Sequence, residues 1–200
     1  MKKTYKINEI FYSLQGEGYH TGEPAVFVRF SGCNLACPWC DTDHHSSQEM
    51  TGEEIVQAIK LAWPQKQKNW PPDTMPFVVL TGGEPALQID ESLLLRMANE
   101  GFYVSIETNG TKELPDSIDW ITCSPKPNSF LRIKQANEVK VVYDGKTNPD
   151  LWLKEIQAEH WFLQPLHDGK SANTKETIDY VLTHPYWRLS LQTHKLTGIR

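Results

Sequence analysis

The sequence predicts an α/β fold of mostly parallel strands in a single domain spanning residues 1–200, and three observations predict it. Short apolar, β-rich runs recur along the chain. Helical patterns sit between many of them, and polar or Gly-rich clusters follow the runs. The length sets the scale: 200 residues hold one sizeable core, whereas a full eight-stranded β/α barrel usually takes about 250. A barrel-like fold here is therefore a trimmed one.

The runs are residues 25–30 (AVFVRF), 77–81 (FVVLT), 102–108, 119–123 (DWITC), 139–143 (VKVVY), 161–164 (WFLQ) and 188–192 (RLSLQ), with residues 7–14 a candidate extra strand. Several are continuous rather than alternating, which suits strands covered on both faces. Among the helices, Thr51-Gly52-Glu53-Glu54 is a capping box, followed by Ile55, Val56, Ile59 and Ala62 at helical spacing. Asp90 is a candidate cap for residues 91–98, and Asn173 for residues 174–182, with residues 150–157 a short helical candidate. Residues 112–116 and 125–135 carry no helical pattern, so some crossovers are expected as loops. The unusual clusters (Ser31-Gly32-Cys33, Gly82-Gly83-Glu84-Pro85, Asn109-Gly110, Ser124-Pro125-Lys126-Pro127 and Gln192-Thr193-His194-Lys195) all come directly after strands. Ligands of β/α folds gather at the carboxyl ends of strands, so these clusters are expected on one face.

Composition narrows the function. The formal net charge of −5 excludes a sequence-independent nucleic-acid binder, which needs a basic surface. Hydrophobic residues at 39% and charged ones at 22% exclude large-scale disorder. Residues 1–6 are basic but no apolar stretch follows, so neither a secretory signal nor a membrane anchor is expected. Of four cysteines, Cys33, Cys37 and Cys40 form C-x3-C-x2-C, and Cys123 stands alone as a small buried residue beside the strand ends. A tight cluster without an export signal reads as a metal or redox site in the cytoplasm.

Two metals compete for that cluster. With His44 or His45 as a fourth ligand, it is a structural zinc knuckle. As a three-cysteine loop it holds an iron–sulfur cubane with one open iron, which suits chemistry at the cluster rather than electron transfer alone. The spacing resembles that of the radical S-adenosylmethionine (radical SAM) superfamily, and Thr81-Gly82-Gly83-Glu84-Pro85 resembles its GGEP motif. Alone, paired glycines after a strand mark only a tight turn. The resemblance implies an incomplete β/α barrel with several helices missing and a [4Fe-4S] cluster whose open iron binds S-adenosylmethionine. One electron then cleaves that cofactor to a 5′-deoxyadenosyl radical, which abstracts hydrogen from the substrate. It further implies cofactor contacts from Trp39, Cys40, Asp41, Gly83, Glu84, Ser124, Pro125, Lys126 and Gln164, with Glu107 and Asn109 on the same rim. Trp39 also reads as an apolar lid over the cluster.

The segments LQGEG, VRFSGCNLACPWCDT, TGGEP, ETNG, SPK and RLSLQTHK together resemble the 7-carboxy-7-deazaguanine synthase family nearly end to end. That family converts 6-carboxy-5,6,7,8-tetrahydropterin to 7-carboxy-7-deazaguanine with loss of ammonia, assisted by magnesium. The likeness implies that Leu14, Gln15, Gly16, Thr81, Gln192 and His194 meet the pterin, that Arg29 holds its carboxylate, and that Thr42 offers a hydroxyl to Mg2+. Arg29 is a cation in an apolar strand, where charge is costly unless paired; a structural salt bridge is the competing reading. His194 reads equally as a structural histidine. A homodimer, with Trp63, Trp70, Trp152, Trp161 and Trp187 as interface candidates, and a flavodoxin-like electron donor are implied as well. The alternatives are a radical activase acting on a partner protein, and a non-catalytic zinc-binding module.

Overall fold

The computed structural model describes residues 2–44, 46–65, 68, 70–71, 74–167 and 172–200, and nine strands of the described chain form one sheet. They are β1 (Thr4–Leu14), β2 (Pro24–Phe30), β3 (Gln48–Thr51), β4 (Phe77–Gly82), β5 (Tyr103–Thr108), β6 (Trp120–Cys123), β7 (Gln135–Tyr143), β8 (Gln157–Pro165) and β9 (Arg188–Leu189). Their order is β3-β1-β2-β4-β5-β6-β7-β8-β9. β1 runs antiparallel to β2 and β3, and every pairing from β2 to β9 is parallel. β3 and β9 are edges that do not pair with each other, so the barrel is incomplete. The helices are α1 (Gly52–Ala62), α2 (Glu91–Asn99), α3 (Thr174–Thr183) and α4 (Thr193–Thr197). None of them is long and apolar enough to cross a membrane.

The expected strands 25–30, 77–81, 102–108 and 119–123 appear as β2, β4, β5 and β6. β2 and β4 are buried almost throughout. Val26, Val28, Phe30, Val78, Leu80, Val104 and Ile106 pack against Ile55, Ile59, Leu93, Leu94 and Met97 of α1 and α2. Each fully buried aliphatic or aromatic side chain there stabilises the fold by about 1.5–3 kcal/mol. The Thr51 capping box forms in both directions (Glu54 N to Thr51 Oγ1 3.3 Å, Thr51 N to Glu54 Oε2 2.7 Å), and Asp90 Oδ1 accepts from Leu93 N at 3.0 Å.

Four expectations are corrected. Residues 150–157 do not form an α-helix; Pro149–Lys154 is a 3₁₀ turn and Gln157 already starts β8. β7 and β8 pair in parallel from Gln135/Gln157 to Tyr143/Pro165, so residues 144–156 must run back along all of β7. A 3₁₀ turn rises about 2.0 Å per residue against about 1.5 Å for α, and the longer rise suits that span. Asn173 does not cap α3 through its side chain; its Nδ2 donates to Tyr143 O at 3.0 Å instead. The run 188–192 shortens to Arg188–Leu189, and Thr193 opens α4. Trp187 is no interface residue of the free surface: it is 2% exposed, and its Nε1 donates to Asp150 Oδ1 at 2.9 Å. β3 (QEMT) lacks an apolar run and is specified by its ladder to Thr4–Ile7.

Across the gap beside β9, loops take the place of a ladder. Gly18 N donates to Ser190 Oγ at 3.0 Å, and Thr193 donates to Gly16 O from both N (2.9 Å) and Oγ1 (3.0 Å). This seam joins the β1–β2 connection to α4.

Candidate active site

Side-chain alternation carries polar groups to the carboxyl ends of the parallel strands. Arg29 of β2, Thr81 of β4, Glu107 of β5, Lys140 of β7 and Gln164 of β8 all line a single cavity of about 710 Å³. The register sets Arg29 beside Thr81. The loops that follow the strands complete the wall, so the clusters expected on one face do converge. The cavity is lined by Leu14, Gln15, Gly16, Cys33, Cys37, Trp39, Cys40, Asp41, Thr42, Gly83, Glu84, Ser124, Lys126, Gln192 and His194 as well. Pro125 lies just behind it, sharing a small neighbouring cavity with Trp39 and Pro127.

The cysteine loop leaves β2 and returns to its own root. Gly32 N donates to His44 O at 3.0 Å and Ser31 Oγ to Ser46 O at 2.6 Å, closing the loop at its base. His45 lies outside the described residues. The Gly82-Gly83 turn presses on this root: Gly83 N donates to Phe30 O at 2.9 Å and Glu84 N to Gly32 O at 2.9 Å. Gly82 has φ +125°, and a Cβ on Gly83 would overlap the Gly32 carbonyl. Glycine is required there because backbone meets backbone. Gly83→Ala is expected to cost about 1–3 kcal/mol by overpacking, read as a lower thermal midpoint together with weaker cluster retention.

Glu84 is 1% exposed and fastens this turn to the end of β5. Its Oε1 accepts from Thr108 Oγ1 (2.7 Å) and Ala86 N (3.0 Å), and its Oε2 from Asn109 N (2.7 Å). Burial raises the carboxyl above the usual range, and these three donors oppose that rise. Lys126 is held inward, its Nζ donating to Ser124 O (2.6 Å) and Oγ (2.7 Å), and burial lowers its pKa. Gln164 Oε1 accepts from Ser190 Oγ at 3.0 Å. Asp41 pairs with Lys195 at 2.5 Å; burial would raise its carboxyl, but Lys195 and Gln192 pull it down.

On the other wall Arg29 Nε pairs with Glu9 Oε1 at 2.9 Å, and Arg200 pairs with the second oxygen of Glu9. The salt bridge weighed as a competing reading of Arg29 is therefore present, in a guanidinium that also lines the cavity. Gln15 Nε2 donates to Glu107 Oε1 at 3.2 Å, and Thr81 Oγ1 to Glu107 Oε2 at 2.8 Å. Lys140 bridges Glu107 (3.4 Å) and Glu17, and Gln192 Nε2 donates to Glu17 Oε1 at 2.8 Å. Burial alone would push the Glu17 carboxyl up, but Lys140 and Gln192 pull it down to about 2. Gly16 packs beneath the His194 ring, so His194 has a structural contact as well as a place on the wall.

Residues 27–122 match the Radical SAM superfamily model. The chain is 55% identical over 196 residues to the 7-carboxy-7-deazaguanine synthase of Bacteroides thetaiotaomicron, spanning 98% of both chains. The chain belongs to the 7-carboxy-7-deazaguanine synthase family. Another member, from Bradyrhizobium diazoefficiens, is 41% identical over 215 residues, covering 98% of this chain and 100% of that one. The crystal structure of QueE from Escherichia coli superimposes with a TM-score of 0.73 at 28% identity, over 94% of each chain.

As a radical SAM enzyme of this synthase family, the chain uses a [4Fe-4S] cluster and S-adenosylmethionine. Its residues fit that pair. Three thiols face one cavity from a single closed loop. Burial and the neighbouring Glu84, Cys37 and Cys40 raise the Cys33 thiol, opposed by the Leu35 amide; the thiolate is the form that ligates iron, and a bound metal would favour it. Among the described residues no three Cys, His, Asp or Glu side chains converge on one ion; a cubane takes one thiolate per iron and needs no such convergence. Cys123 stays outside the site, fully buried, its thiol pushed up to about 12 by burial. Family membership thereby replaces the zinc-module reading.

The sequence alone does not single out Glu9, Lys140 or Arg200, and it gives Glu17 and Lys195, which lie within its motifs, no role of their own. For Lys140 a signal existed: a lysine inside VKVVY is the same costly charge in an apolar strand that marked Arg29.

Proposed function

We propose that this chain is a radical SAM lyase converting 6-carboxy-5,6,7,8-tetrahydropterin to 7-carboxy-7-deazaguanine with release of ammonia, in 7-deazapurine (queuosine precursor) biosynthesis. One observation carries the reading. A single cavity joins the three-cysteine loop and Gly83 on one wall to Gln15, Arg29, Thr81 and Glu107 on the other. A cofactor and a small polar heterocycle can thus meet there with little water between them. The bound cluster and S-adenosylmethionine supply one-electron cleavage and a carbon-centred radical.

The chain's own residues bind and orient. Cys33, Cys37 and Cys40 hold the cluster, while Trp39, Asp41, Gly83, Glu84, Ser124, Pro125, Lys126 and Gln164 shape the S-adenosylmethionine site. Glu84 acts there by fixing the turn that presents the Gly83 backbone. Leu14, Gln15, Gly16, Thr81, Gln192 and His194 frame the pterin. Arg29, held at Nε by Glu9, presents the rest of its fork to the substrate carboxylate. Thr42, which borders the cavity, would offer its hydroxyl to Mg2+ beside the substrate. The active form is a homodimer of chains that each carry one core unit, reduced by a flavodoxin-like donor in the cytoplasm.

The test is anaerobic reconstitution of the protein with iron and sulfide, followed by incubation with reductant, S-adenosylmethionine, magnesium and carboxytetrahydropterin. Mass spectrometry is expected to find carboxydeazaguanine and ammonia in equal amounts. A brown, cofactor-cleaving protein that leaves the pterin intact would overturn the assignment.

A further inference from the structure

Lys140 is 4% exposed, yet it borders the cavity. Its ammonium meets two carboxylates, Glu17 from the β1–β2 connection and Glu107 from β5. The cation is buried while both carboxylates are half-buried, their side chains 16% and 24% exposed, so one positive charge faces two negative ones at the cavity wall. Each carboxylate is also fixed by a neutral donor or two: Glu107 by Gln15 and Thr81, Glu17 by Gln192. The third nearby carboxylate, Glu138, is turned away from this task, accepting from Thr122 Oγ1 and Tyr19 N at 2.7 Å each.

Resting on the pterin-lyase reading, we propose that Lys140 is a positioning residue, holding Glu17 and Glu107 side by side as charged acceptors for the N–H groups of a flat heterocyclic substrate. Both carboxylates border the cavity, and a ring bearing amino and ring N–H donors supplies the positive edge that this unbalanced trio lacks. The other charged groups around them are Glu138 on the same strand, Lys126 after β6, Asp41 on the cysteine loop, and His194 and Lys195 on α4. None of these replaces Lys140, because none makes a hydrogen bond to either carboxylate among the described contacts.

Without the ammonium, mutual repulsion would raise the carboxyl of one member of the pair, and deprotonation at higher pH would restore the acceptor. Lys140→Met, assayed anaerobically and normalised to cluster content, is therefore expected to raise the KM for carboxytetrahydropterin about tenfold or more at neutral pH, with the rise shrinking as pH increases. An unchanged KM, or a rise of equal size at every pH, would overturn the proposal. A second measurement needs no variant. Calorimetric titration of the pterin into the reconstituted wild-type protein, in buffers of different ionisation heat, should show no proton uptake from about pH 6 to about pH 8. Uptake approaching one proton would overturn it even if the Met variant fails to fold. Failure of the underlying reading looks different: the wild-type protein would bind the pterin and release no deazaguanine product.

Discussion

Replacing Cys33, Cys37 or Cys40 by Ala is expected to remove S-adenosylmethionine cleavage, a fall of more than about a thousandfold, or over about 4 kcal/mol in barrier. The loop is closed at its base by Gly32 N to His44 O, so loss of one thiol leaves its path intact. The loss is therefore chemical: two thiolates cannot hold three corners of a cubane. Iron content and the brown absorbance should fall in each variant, while circular dichroism stays near that of the parent. Cys123→Ala is the control, since that thiol packs in the apolar core away from the cavity lining and should leave the iron in place. A Cys37→Ala protein that still cleaved the cofactor at the parental rate would refute the cluster assignment.

The second large effect concerns folding. Glu84→Ala strips acceptors from Thr108 Oγ1, Asn109 N and Ala86 N together, in a place closed to water. Buried donors left unsatisfied cost about 1–3 kcal/mol each, and neighbouring losses overlap, so a total of about 3–5 kcal/mol is expected. At about 2–4 °C per kcal/mol for a chain of this size, the thermal midpoint should drop by about 10 °C or more. Glu84→Gln keeps two of the acceptor contacts within reach and should lose about half as much. A Glu84→Ala midpoint within a degree or so of the parent would show that the TGGEP turn does not depend on this carboxylate.

Much of this was legible because the informative signals are local. The cysteine spacing, the paired glycines and the capping box at Thr51 each occupy a few consecutive residues, and strands β2, β4, β5 and β6 are short β-rich runs dominated by apolar residues. Their convergence followed from the rule that parallel strands present their carboxyl ends together. What escaped notice is non-local. β3 is polar and owes its existence to a partner near the start of the chain. Lys140 finds Glu17 123 positions away and Glu107 33 positions away, distances over which no periodicity speaks. Arg29 showed its charge in the sequence but not Glu9, whose place opposite it is set by the β1–β2 register. α4 is five residues long, too short to leave a helical pattern.

The join between the β1–β2 connection and α4 has its own consequence. Elsewhere the wall is a ladder, and parting it breaks several bonds cooperatively; here, apart from the tail's ties to Glu9 and Ser13, it can part by giving up the few bonds at Gly16, Glu17 and Gly18. Thermal breathing should therefore concentrate along this line, and the amides of Gly18 and Thr193 should trade deuterium well before those of β4 and β5. A reactant entering that way would cross between Gln192 and Glu17, leaving the glycine brace at the root of the cysteine loop undisturbed.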